Sequence, residues 1–126
     1  MVNFVSLYTM SDEFVALATK EINDEISGIE TILSSCKNND DVVHNSDKLQ
    51  QHTHKIKGLA PMIGKEKLGE LSSQLDTMLK KTNEGKQFKE ILDLLTEAIH
   101  QMKGSMNKSA DLNPIIGRIK QYLSNL

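Results

Sequence analysis

Apolar residues recur every three to four positions through most of this 126-residue chain, and the breaks fall at a few polar, glycine- or proline-bearing points. The first run predicts a helix from Ser11 to about Cys36. It carries Phe14, Leu17, Ala18, Ile22, Ile26, Ile29, Ile32 and Leu33 on one face and acidic residues on the other. Ser11 is placed to cap it, with Asp12 and Glu13 favoured in the first turn. Met1–Met10 add a short apolar helix ahead of it, and Lys37–Asp41 reads as a loop. A second helix is expected to start near Val42–Ser46 and to run through Leu49, Thr53, Ile56 and Ala60. Pro61 ends it, because a proline disfavours the α conformation in the residue before it. A third, from about Lys65 to Lys81, buries Leu68, Leu71, Leu75, Met78 and Leu79, and Thr82–Gly85 breaks it. A fourth, from about Gln87 to Met102, buries Phe88, Ile91, Leu92, Leu95 and Ile99.

Lys103–Ala110 is polar and small and reads as a linker. Beyond it Pro114 is a favoured first-turn residue, and Ile115, Ile116, Ile119, Tyr122, Leu123 and Leu126 mark one more amphipathic helix. No segment alternates with the period of a strand. The expectation is an all-α protein: an antiparallel up-and-down bundle with a four-helix core and an additional C-terminal helix. Residues 1–102 form the bundle, 103–110 the linker and 111–126 the last helix.

Composition narrows the function. Hydrophobic residues make up 38% and aromatics only 4%, with no Trp, so the core is built from Leu, Ile, Val and Met. Fifteen basic against seventeen acidic residues leave a net charge of −2, without the basic surplus of a nucleic-acid or membrane-surface binder. Cys36 is the one cysteine, which excludes an internal disulfide and a CxxC zinc site. No run approaches the roughly 18 apolar residues of a membrane span, and Met1–Phe4 lacks the basic start of a signal peptide. The expected compartment is the cytoplasm.

Chemistry concentrates in Gln50–Ala60. On a helical wheel with Leu49 at zero, Thr53, Ile56 and Ala60 lie within about 40° and define the buried side, whereas His54 lies at roughly 140°, Lys57 at 80° and Gly58 at 180°. His54 therefore faces outward, where a neutral imidazole is a good nucleophile near neutral pH. Lys57 is a compact charge at i+3, able to neutralise phosphoryl oxygens. Gly58 at i+4 removes side-chain bulk, so a partner's active site can reach the ring. A carboxylate is needed to hold the other ring nitrogen. Asp76, at the edge of the third helix's buried stripe about 80° from Leu68, is the first candidate, with Glu66 and Glu70 behind it. His52 and His54 cannot share a metal ion, because i and i+2 point about 160° apart on a helix. No metal site, cofactor-binding motif, nucleotide loop or catalytic dyad is visible, so no activity of the chain's own is expected.

The run His54-Lys55-Ile56-Lys57-Gly58-Leu59-Ala60-Pro61-Met62-Ile63-Gly64 resembles the H-x-x-K-G-x-A-x-x-x-G signature of histidine phosphotransfer (HPt) domains, most closely the N-terminal phosphotransfer domain of chemotaxis histidine kinases of the CheA type. With the flanking helices the resemblance covers roughly residues 11 to 102. It implies a phosphorelay intermediate of two-component signalling. The matching histidine, His54, accepts phosphate from ATP through a kinase's ATP-binding domain and gives it to an aspartate of a response-regulator receiver domain. Two positions depart from the family: Asp76 stands where Glu is usual, and Ser73 where a second histidine supports the site. The competing reading is a helical protein-interaction module in which His54 is incidental, which would need a contiguous apolar patch for its partner.

Overall fold

A computed structural model of the chain describes the backbone of residues 4–126 and side chains from Asp12 onward. The described residues are helical throughout, without a strand: α1 (Phe4–Ser35), α2 (Asn39–His44), α3 (Ser46–Leu59), a single 3-10 turn (Pro61–Ile63), α4 (Glu66–Asn83), α5 (Ile91–Asn107) and α6 (Asn113–Ser124). Met1–Asn3, the start of the expected leading helix, lie outside the described residues.

The core is the four-helix set α1, α3, α4 and α5. Helix α1 packs on α3 and α5, α3 packs most extensively on α4, and α6 lies along α4. Helices α3 and α4 run in opposite directions. Ser46 meets Asn83 (3.3 Å) and His54 meets Asp76 (3.5 Å), while Pro61 lies over Gly69. A Cβ on Gly69 would stand 2.7 Å from Pro61 Cγ, so the turn after α3 closes onto α4 only because that position is bare. Leucine, isoleucine and methionine fill the interior: Ile22, Ile26 and Ile29 of α1, Leu49 and Ile56 of α3, Leu71, Leu75 and Met78 of α4, and Ile91 and Met102 of α5. Each such side chain contributes about 1.5–3 kcal/mol on burial.

Several element boundaries differ from expectation, each for a local reason. Helix α1 is continuous from Phe4, so the separate leading helix does not form and Ser11 lies inside the helix instead of capping it. Leu17 is 70% exposed, because the buried stripe follows Ala18, Ile22, Ile26 and Ile29 and leaves it to one side. Helix α2 begins inside the expected loop. Asn38 Oδ1 accepts from the Asp41 N–H (2.9 Å), and Asp40 and Asp41 sit favourably in the first turn. The fourth helix starts at Ile91 rather than Gln87. Glu90 takes a left-handed backbone (φ 57°), and the Leu92 N–H is capped from another element by Asn39 Oδ1 (3.0 Å). Phe88 is buried from the segment before the helix.

At its far end α5 continues to Asn107, so much of the segment expected as a linker is helical. Helix α6 buries Ile115, Ile116 and Ile119, together with Leu112 just before it, in the common core, and leaves Leu126 exposed beyond its end. Lys120 reaches Glu70 of α4 (2.9 Å) and Arg118 reaches Glu97 of α5 (2.6 Å), so α6, packed on α4, is also tied to α5 by an exposed ion pair. Among the described residues no helix is long and apolar enough to cross a membrane.

Candidate functional site

The middle of α3 presents two histidines to opposite surroundings. Leu49, Thr53, Ile56 and Ala60 are buried, as the wheel requires, and this fixes the rotation of the helix. His54 then stands on the open side with 69% of its side chain exposed. Its Nδ1 points at Asp76 of α4, 3.5 Å from Oδ1. That separation is an ion-pair approach and longer than a formed hydrogen bond, and Asp76 Oδ1 has no hydrogen-bond partner among the described residues. Lys57, one turn after His54, brings its Nζ to 3.7 Å from Asp76 Oδ2. One carboxylate, only 8% exposed, thus lies between the imidazole and the ammonium. Gly58 leaves open space: a Cβ built there meets nothing within 4 Å. The structure brings together His54, Lys57, Gly58 and Asp76.

The other carboxylates considered are elsewhere. Glu70 is taken up by Lys120 and Lys67 (2.9 and 3.2 Å). Their hydrogen bonds, Lys120's first, hold its carboxyl below the ordinary value of 4.5. Glu66 is exposed at the start of α4, and Ser73 is half-buried one turn before Asp76. His44 and His100 are exposed and apart. Among the described residues no three His, Cys, Asp or Glu side chains converge as metal ligands would. Cys36 is half-buried at the end of α1, where burial, then the charge of Asp41, push its thiol above the usual range.

His52 faces inward. Its Nδ1 is 2.9 Å from Glu25 Oε1 of α1, and its ring lies on Gly28, where a Cβ would stand 2.5 Å from Cε1. Lys55 approaches the same Glu25 oxygen at 3.5 Å. Glu25 is 7% exposed, although the sequence reading put the acidic residues of α1 on the outer face. The signal was present: Glu25 sits between Ile22 and Ile29 at the spacing of the buried stripe.

Chemically, a neutral His54 that keeps its proton on Nδ1, facing Asp76, leaves the Nε2 lone pair free on the exposed side. Lys57 stands one turn away with a charge shared only loosely.

Compared with known proteins, the chain matches the family model described as "Hpt domain" over residues 13–105, from within α1 nearly to the end of α5. No curated protein and no solved structure matches it.

Proposed function

Since the chain belongs to the Hpt domain family, with its phosphorelay role in two-component signalling, we propose that His54 is its phosphoacceptor, loaded by the ATP-binding domain of a histidine kinase and unloaded by a receiver domain. The observation that carries this reading is the exposed His54 ring with its Nδ1 turned to the buried Asp76 and Lys57 on the same carboxylate.

In the proposed reaction the Nε2 lone pair attacks the γ-phosphorus of ATP held by the kinase. The bond from that phosphorus to the β,γ-bridging oxygen breaks and ADP leaves with the electron pair. Asp76 opposes the positive charge that develops on the ring and holds the Nδ1 proton in place. Lys57 turns from Asp76 towards the phosphoryl oxygens, a small movement because its present contact is long and half-exposed. In the second step a receiver carboxylate oxygen attacks the phosphorus, the P–N bond breaks and its electrons return to Nε2. Both partners must approach within bonding distance of one atom, which the open space over Gly58 allows. The chain supplies the nucleophile and its orientation, and each partner supplies the rest of an active site.

The resemblance of the His54–Gly64 run favours a chemotaxis-type system in the cytoplasm. The test is incubation with a histidine kinase catalytic domain and γ-labelled ATP. Acid-labile, alkali-stable label on the parent and none on His54→Gln is the expected result. Label retained by His54→Gln overturns the assignment.

A further inference from the structure

Four hydroxyl side chains are buried among the described residues: Ser46, Thr53, Ser72 and Thr82. Three donate to a backbone carbonyl about one turn earlier, Ser46 to Val43 (2.8 Å), Thr53 to Gln50 (3.1 Å) and Thr82 to Met78 (2.8 Å). This is the usual resting place of a helical hydroxyl. Ser72, which has no exposure, does not do so, and its Oγ has no hydrogen-bond partner. Buried polar groups in that condition are rare and call for an explanation. The other buried side-chain atom without a partner among the described residues is Asp76 Oδ1.

The two are complementary. A hydroxyl can donate and a carboxylate oxygen can only accept. Ser72 and Asp76 are four positions apart on α4, hence on one face with Cβ atoms about 6 Å apart, a gap that the two side chains together can span. Side chains on a helix tilt towards its N-terminus, so Asp76 leans back over the turn that carries Ser72. We propose that Ser72 is a positioning residue for Asp76: by rotation about its χ1 the hydroxyl donates to Oδ1 and holds the carboxylate against His54. The proposal rests on His54 being the phosphoacceptor. Ser72 touches no reacting atom and acts only through Asp76. It also offsets the loss of Lys57 as a partner of that carboxylate when the lysine turns to the phosphoryl group.

The experiment compares the full chain with Ser72→Ala, Asp76→Ala and the double variant. Each is measured for the rate of phosphoryl acceptance from a kinase domain, for melting temperature, and for the ¹⁵N shifts of the His54 ring, which report which nitrogen carries the proton. The expected result for Ser72→Ala is a rate lowered about 3- to 10-fold, the range for loss of one hydrogen bond. Its His54 spectrum should show less of the Nδ1–H tautomer, and its melting temperature should fall by no more than the loss of one buried hydrogen bond explains. In the Asp76→Ala background the same change should have no further effect. Ser72→Ala with the parent's rate and unmoved ring shifts overturns the proposal, and so does an effect that multiplies with Asp76→Ala. A parent chain that no kinase phosphorylates would sink the relay reading instead. The ring spectra would still decide whether Ser72 acts on His54 through Asp76.

Discussion

His52 and His54 stand two residues apart on α3 and face opposite ways, the first pressed on Gly28 with its Nδ1 at Glu25, the second exposed with its Nδ1 towards Asp76. Their variants should therefore separate. His54→Gln should abolish phosphorylation with the fold intact. His52→Gln should keep the label and lose at most about 1 kcal/mol of stability, because an amide can still donate to Glu25. Autoradiography with a thermal melt checks both, and a label that follows His52 contradicts the site.

Asp76→Asn removes the charge that faces both His54 and Lys57 while keeping the shape. Acceptance should slow about 10-fold, the lower end for loss of a group that orients a functional histidine. The melting temperature should change little. Equal initial rates in a rapid-quench assay would remove Asp76 from the site.

Gly58→Ala should raise stability by up to about 1 kcal/mol, since Ala is the better helix former and its Cβ meets nothing within 4 Å. Gly58→Leu and Gly58→Glu should also fold, yet block transfer to a receiver, because the added atoms stand where the partner approaches. Stability and transfer thus move in opposite directions. Full transfer from a folded, phosphorylated Gly58→Glu would show that nothing docks there.

Deleting residues 111–126 strips Leu112, Ile115, Ile116 and Ile119 from the core and leaves Glu70 and Glu97 without Lys120 and Arg118. At about 1.5 kcal/mol or more for each buried side chain, the loss approaches the whole stability of a small domain. The truncated chain should melt far below the parent, as circular dichroism would show. A linker followed by an independent helix leads to the opposite result.

Glu70 gives a pH dependence. Its folded-state carboxyl lies below the ordinary 4.5, so the contribution is fully present above that value and is lost as pH falls through the depressed one. Glu70→Gln should lower stability near neutral pH and flatten the acid limb of a stability–pH curve. The difference should shrink in high salt, because the ion pairs are solvent-exposed. Parallel curves for parent and variant would rule the pairs out as a source of stability.

The periodic helices and the outward face of α3 could be read from the sequence because each depends on residues within one helix. Leu49, Thr53, Ile56 and Ala60 alone determine where His54 points. What could not be read depends on pairs distant along the chain. Asn39 caps α5 across 53 residues, and Lys120 meets Glu70 across 50. Glu25 is an intermediate case: its spacing placed it in the buried stripe, but its charge argued for the surface until His52 and Lys55 supplied partners. Asp76 was legible as a candidate by angle alone, whereas the shortfall of hydrogen bonds on it and on Ser72 exists only once α3 and α4 are packed.

The seat of the His52 ring on bare Gly28 also sets an azimuth. A helix packed by leucine and isoleucine alone can roll by some degrees about its axis at little cost, and each degree would swing an outward side chain along an arc. A flat ring held in a notch one residue wide, and tied at its Nδ1, works as an index pin against that roll. The bearing of His54 is thus fixed from the opposite side of its own helix, by the half-buried contact of His52 with α1.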